Sequence, residues 1–259
     1  MKVNVSSLSE LEFCPRSVYL RHVLELKPKL TPPLVRGLVG HAVRKELSLR
    51  QVRILKKAAG DSGLLSLVEE EFSRIAAEVP LIYREKLGGV AVEQVLHEIR
   101  CEIESEMKML CSTLEALVEE HGVVSAVKLL TPWKVEYPLK SDAVGFSGVV
   151  DKVMPPLVPV EIKTGRVGEG VWEGDRLQLC AYGMLLEGEF GVEVPYGFVE
   201  YTRVQEQRPV LFTERLRRRV LEARECVVDI LSGYVPEVCP HGSGRKCGSC
   251  GFSDVCYTI

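Results

Sequence analysis

No apolar run in the 259-residue chain reaches the roughly 18 residues that a membrane-spanning helix needs, so no transmembrane segment and no membrane partner are expected. The opening residues, MKVNVSSLSELEFCPRS, lack the apolar stretch of a signal peptide and carry charge early, which predicts a cytoplasmic protein. Neither GxxxxGKS nor GxxxxGKT occurs, so the phosphate-cradling loop of an ATP-driven motor is missing. There is no internal repeat and no low-complexity tract. A strong charge of one sign is also lacking: 33 Lys and Arg against 36 Asp and Glu leave a net charge of −3, which does not announce a nucleic-acid binder. Nine cysteines, an odd number, argue against a complete disulfide framework.

What is present is an ordinary globular composition, 46% hydrophobic and 27% charged, with material for one large domain or two small ones. The charge is unevenly spread. Arg44, Lys45, Arg50, Arg53, Lys56 and Lys57 stand against Glu46 alone, whereas residues 69–120 hold thirteen acidic side chains and five basic ones. Arg215, Arg217, Arg218 and Arg219 form a second basic run. Either run is a candidate for tracking a phosphate backbone, or a solvated helix face.

Residues 6–25 read as one helix, with Ser6, Ser7 and Ser9 as candidate caps. The Pro-rich stretch KPKLTPPL (27–34) separates it from a second helix that begins near Val35 and carries His41. Residues 64–122 show helical apolar spacing, interrupted around Pro80 and Gly88-Gly89. The pattern then changes. KVEYPLK (134–140), FSGVVDKVM (146–154) and LVPVEIKT (157–164) are short, Val-rich and bounded by Gly or Pro, and read as three β-strands. A helix at about 173–187, a strand at 195–202 and a helix from Glu214 to Leu231 lead into a Gly/Cys-rich tail. The expected fold class is therefore α/β (α+β), a small mixed sheet flanked by helices.

Four features bear on chemistry. His41 lies in RGLVGH, four residues after Gly37; Asp151 closes the run GVVD; Glu161 and Lys163 flank Ile162 in PVEIKTG; Gln178 and Tyr182 are four apart in QLCAY. Residues two apart on a strand share a face, so Glu161 and Lys163 look into one cleft, which Asp151 can reach from an adjacent strand. Two carboxylates and an imidazole make a partial shell for Mg2+ or Mn2+ with positions left for a phosphate oxygen. A neighbouring lysine supplies positive charge to orient the attacking water or stabilise the phosphoryl group. Gln178 and Tyr182, on one helix face, are candidates to line a substrate path. An E-x-K also occurs at Glu106-Met107-Lys108, so it is the order of the four features that carries weight.

The remaining thiols divide into two sets. Cys101, Cys111, Cys180 and Cys226 sit singly and read as buried packing residues. Cys14, Cys239, Cys247, Cys250 and Cys256 lie near the chain ends, where Cys239, Cys247, Cys250 and Cys256, with His241 close by, would suit a local zinc knuckle.

The series GVVD, VEIKTG, QLCAY resembles the RecB-type branch of the PD-(D/E)XK nucleases. With FCPRSVYL near the N-terminus and C-x2-C-x5-C near the C-terminus, essentially the whole chain resembles the CRISPR-associated Cas-four exonuclease family. That resemblance implies a restriction-endonuclease-like core at 131–235, a helical insertion at 35–130 carrying His41, an N-terminal helix and linker at 1–34, and a cluster-binding tail at 236–259. It implies His41, Asp151, Glu161 and the Ile162 carbonyl as ligands of Mg2+ or Mn2+, and Lys163 as the catalytic lysine. It also implies an iron–sulfur cluster, 4Fe–4S or 2Fe–2S, on Cys14, Cys247, Cys250 and Cys256. The implied activity is degradation of single-stranded DNA, with 5′-end action in some members, in support of spacer acquisition with the CRISPR integrase subunits. Two other readings stay open at this point, a non-catalytic DNA-end adaptor and a zinc-stabilised nucleic-acid-binding protein.

Overall fold

The computed structural model describes residues 1–58, 63–88 and 90–259. The single helix expected over 6–25 is two helices, α1 (Ser6–Phe13) and α2 (Pro15–His22), with Cys14 extended between them (φ −166°, ψ 114°). Pro15 is the cause. Its ring disfavours a helical residue before it, while its missing N–H goes unnoticed in the first turn of α2. The serines do not cap α1. Asn4, in a short strand β1 (Val3–Asn4), takes that role: its Oδ1 accepts from Ser6 N at 3.0 Å and from Ser6 Oγ at 2.9 Å.

The helical region starts three residues earlier than expected, with α3 (Pro32–Ala58). α4 (Leu64–Ile82) keeps Pro80 inside its last turn, where fully buried Ile75 and Val79 anchor the helix against its neighbours. α5 (Arg84–Leu87) stops at Gly88, whose φ of 57° is left-handed; Gly89 lies outside the described residues. α6 (Glu93–Leu130) runs past the expected end at 122, turning at Gly122 (φ 75°, ψ 162°). Val39, Val43 and Leu55 of α3, Phe72 and Ile75 of α4, and Ile99 and Ile103 of α6 form one apolar core.

The three Val-rich runs are β2 (Lys134–Ser141), β3 (Phe146–Met154) and β4 (Val158–Lys163). α7 (Glu173–Phe190) and β5 (Tyr196–Tyr201) follow as expected. β6 (Glu206–Leu211) was not expected, because EQRPVL is polar and contains Pro209. It lies at the sheet edge, where a missing donor and exposed side chains are tolerated. α8 (Glu214–Leu231) buries one stripe, Leu216, Val220, Ala223, Val227 and Ile230, and the Thr213 side chain caps it by accepting from Leu216 N at 3.3 Å. In the tail, short helices α9 (Gly244–Ser249) and α10 (Ser253–Cys256) replace the irregular structure expected.

The mixed sheet runs β1-β3-β4-β5-β6, with β2 also paired to β3, and helices flank it. β2 covers β3 along one edge, antiparallel from Lys134↔Val153 to Ser141↔Phe146. The other edge is divided. β1 pairs in parallel with Phe146 and Ser147, and β4 pairs antiparallel with Lys152, Val153 and Met154. β5 then pairs parallel to β4 from Val160↔Phe198 to Lys163↔Tyr201. A second core forms where Phe146, Val150, Val153, Val199 and Tyr201 meet Leu177 and Leu185 of α7 and the α8 stripe.

Of the four cysteines read as packing residues, Cys180 alone is buried, and burial pushes its thiol up to about 12. Cys111 is half-buried, and Cys101 and Cys226 are exposed. Ile99 and Ile103 occupy the inner face of α6, and Val227 that of α8, which leaves Cys101 and Cys226 turned outward. Among the described residues no helix is long and apolar enough to cross a membrane.

Candidate functional site

The site forms where the sheet splits. Pairing of β3 with β4 ends at Lys152↔Val160, so Asp151 and Glu161 fall just beyond the last rung. The Asp151 side chain closes the gap: its Oδ2 accepts from Ile162 N at 2.7 Å, satisfying an amide that has lost its strand partner. On the far side of the split, Gly148 lies against Tyr182 and Val5; a Cβ there would meet Tyr182 Cε1 at 3.0 Å. His41 arrives from α3, its Nδ1 3.9 Å from Asp151 Oδ2. The close approach that brings it there is at Gly40, where a Cβ would meet Thr164 Cγ2 at 2.8 Å; a Cβ at Gly37 would touch nothing within 4 Å.

Three groups then knot together. Lys163 Nζ donates to Gln178 Oε1 at 2.9 Å, Gln178 Nε2 donates to Glu161 Oε1 at 2.7 Å, and Lys163 Nζ lies 3.1 Å from that same Glu161 oxygen. Burial pushes the Asp151 carboxyl up to about 6. Burial, and then the Asp151 charge, push Glu161 up to about 7. Burial lowers the His41 imidazole below its ordinary range and so favours its neutral form. Burial also opposes the Lys163 charge, but Glu161 and Asp175 outweigh it and hold the ammonium well above the usual lysine range. Gln178 and Tyr182 are themselves buried, at 6% and 3% exposure. They form the inner wall of the site, and burial raises the Tyr182 phenol.

Two neighbours escaped the sequence reading. Asp175 Oδ1 sits 3.2 Å from Lys163 Nζ, and its Oδ2 accepts from Tyr201 OH at 3.0 Å. It stands three residues before Gln178 on the same helix face, a spacing that was available as a signal. Glu136 takes a left-handed backbone (φ 50°) between the Val135↔Lys152 and Tyr137↔Val150 pairs of β2 and β3, opposite Asp151. Its negative charge acts on both His41 and Asp151.

The donor set fits a hard divalent cation. Glu161 Oε2 is buried without a hydrogen-bond partner, an arrangement that costs several kcal/mol for a carboxylate and that a cation would relieve. Crowded carboxylates and a neutral imidazole are the ligand types such an ion takes.

The arginines of the basic run on α3 are paired within the helical region, whereas Lys56 and Lys57 at its end are exposed. Arg36 pairs with Glu98 and Glu102, Arg44 with Glu102 and Glu106, Arg50 with Glu46, Glu71 and Glu78, and Arg53 with Glu71. Of the twelve acidic residues on α4 and α6, five (Glu71, Glu78, Glu98, Glu102 and Glu106) meet α3 arginines. In the second run, Arg217 clasps Glu187 and Arg219 meets Glu12 and Glu222, whereas Arg215 and Arg218 are exposed.

The chain ends meet elsewhere. Cys14, Cys239, His241, Cys247, Cys250, Cys256 and Tyr257 line one cavity of about 20 Å³. Lys246 Nζ donates to Glu12 O (3.1 Å) and Phe13 O (2.9 Å), and Arg16 donates to Pro236 O (2.9 Å) and Ile259 O (2.7 Å), fastening the tail to α1 and α2. Burial raises the Cys14 and Cys250 thiols, and neighbouring cysteines add to it. Thiols gathered this way suit iron–sulfur or zinc chemistry, since a soft ion displaces their protons. Among the described residues, Cys239, His241 and Cys247 are the group whose three ligand atoms all lie within 4.8 Å of one another.

A CRISPR-associated exonuclease Cas4/endonuclease Cas1 fusion of Geobacter sulfurreducens is 33% identical over 125 residues, 46% of this chain. Those residues make up 22% of the relative, so the chain matches less than a quarter of its length. The family model described as CRISPR-associated exonuclease Csa1 matches residues 1–258, and the chain belongs to that family.

Proposed function

We propose that the chain is a metal-dependent exodeoxyribonuclease of the PD-(D/E)XK type that degrades single-stranded DNA from its 5′ end during CRISPR spacer acquisition. The observation that supports this most is the buried knot of Glu161, Gln178 and Lys163 with its unpartnered Glu161 oxygen. On this reading His41, Asp151, Glu161 and the Ile162 carbonyl hold Mg2+ or Mn2+. When bound, the ion supplies Lewis-acid stabilisation of phosphoryl oxygens and a more acidic water. Lys163, kept protonated by Glu161 and Asp175, contributes positive charge to the phosphoryl group as its own charge builds. Gln178 aims the lysine and the carboxylate, and Tyr182 packs the floor under the strand. Asp151 bridges the split in the sheet by accepting from Ile162 N.

The proposed nuclease core is 131–235, with 35–130 as a helical insertion, 1–34 as an N-terminal arm and 236–259 as the cluster-binding tail. Cys14, Cys247, Cys250 and Cys256 are the proposed ligands of an iron–sulfur cluster, 4Fe–4S or 2Fe–2S, that staples the two ends. The proposed partners are the CRISPR integrase subunits. A relative whose printed name joins an exonuclease to the endonuclease Cas1 supports that choice. The proposed site of action is the cytoplasm.

The test is a time course on single-stranded DNA labelled at either end, with Mn2+ or with chelator. Loss of the 5′ label first, as short products and only with metal, is expected. DNA that is bound but left intact at both ends with either metal would replace the nuclease with an adaptor.

A further inference from the structure

The cavity between the chain ends offers more donors than one cluster uses. Five thiols and an imidazole line it, and four thiolates complete an iron–sulfur cluster. The surplus pair, Cys239 and His241, is not scattered around the rim. Both lie with Cys247 inside one 4.8 Å group, the spacing of three ligands around a single ion. The chain strains to put them there: Cys239 is held at φ 54°, a conformation that side chains other than glycine avoid, and Gly242 N bonds back to Cys239 O at 3.1 Å to close the turn. Ser243 N donates to His241 Nδ1 at 2.9 Å, which fixes the orientation of the ring. At about 20 Å³ the cavity has room for a single ion or water.

We propose that Cys239, His241 and Cys247 form a site for one zinc-class divalent ion, and that this ion and the iron–sulfur cluster exclude each other because both require Cys247. The exclusion rests on the cluster reading given above; the ion site does not. Two thiolates and one imidazole select a soft-to-borderline tetrahedral cation, leaving a fourth position for water or a neighbouring thiol. The chamber then has two loaded states with different stapling. The cluster includes Cys14 and ties the tail to the N-terminus, whereas the ion draws on the tail alone.

Cobalt(II) is the probe, titrated without oxygen into the metal-free full-length protein, with zinc competition to give the affinity. One equivalent giving tetrahedral visible bands and a thiolate charge-transfer band is expected. Cys239→Ser and His241→Ala should each weaken binding about tenfold or more, and Cys14→Ala by less than about threefold. A His241→Ala protein with native circular dichroism and wild-type affinity overturns the ion site, as does greater damage from Cys14→Ala than from Cys239→Ser. In the second arm the protein is first reconstituted with iron and sulfide, then given zinc. A full equivalent of zinc taken up with the visible cluster absorbance unchanged overturns the exclusion and leaves the ion site standing. Failure of any cluster to assemble removes the exclusion together with the cluster reading, and the cobalt titration alone then judges the ion site.

Discussion

Lys163 Nζ reaches Gln178 Oε1 at 2.9 Å, and the other end of the same amide is spent on Glu161. The glutamine therefore cannot flip, because its NH2 would then face the ammonium. Gln178→Ala frees both the lysine and the carboxylate and should lower the rate of single-stranded DNA cleavage about 10- to 100-fold, the usual cost of losing a supporting partner. Steady-state kinetics with Mn2+ should show the loss in kcat more than in KM. An unchanged kcat would mean that the knot is structural only.

Gly40 and Gly37 make a paired control. Gly40→Ala drives a methyl into Thr164, next to Lys163, and should move His41 off Asp151, costing about tenfold or more in activity. Gly37→Ala meets open space and should leave activity alone while stabilising the helix by about 0.5–1 kcal/mol. Thermal melts and cleavage rates on both variants separate the two effects.

The α3 arginines should matter for folding and not for DNA. Arg44 is 3% exposed and braced by half-buried Glu102 and Glu106, so Arg44→Ala should cost about 3 kcal/mol by removing the partner of both carboxylates. Arg53→Ala, at the exposed end of the network, should leave the salt dependence of DNA binding unchanged. A phosphate contact there would instead lower the slope by about 0.7 on a single strand.

Glu187 carries a pH prediction. Burial alone would raise its carboxyl, but the Arg217 guanidinium and Val194 N more than offset this and hold it below the ordinary carboxylate range. A depressed folded-state pKa means that the pair stabilises fully above the unfolded value of about 4.3 and loses its effect as pH falls through the lower folded value. Glu187→Gln should therefore lose about 2 kcal/mol at neutral pH, with a lower melting temperature. That gap should be constant from about pH 6 to 8 and close toward pH 3.

The strands and the residues they carry were legible because local patterns encode them. Short Val-rich runs bounded by Gly or Pro announced β2, β3 and β4, and the E-x-K spacing put Glu161 and Lys163 on one face. Pro15 divides the expected first helix, because its ring disfavours a helical conformation at Cys14. Pairings made through space left no such trace. Arg44 meets Glu102 and Glu106, 58 and 62 residues away, so the arginines of a run that reads as a basic patch lie in a neutralised interface. Glu136 shares this opacity: nothing in KVEYPLK says that the backbone will turn left-handed at that residue. Gly37 stood at the noticed spacing from His41, whereas Gly40 meets Thr164, which is remote in the chain.

The central claim is that one metal-dependent site at the sheet split cuts DNA. The most direct measurement is Mn2+-dependent release of nucleotides from end-labelled single-stranded DNA by Asp151→Asn, Glu161→Gln and Lys163→Ala, each with its fold verified by circular dichroism. The account predicts that all three lose activity by about 100-fold or more while still binding DNA. Wild-type rates in any folded variant would contradict it.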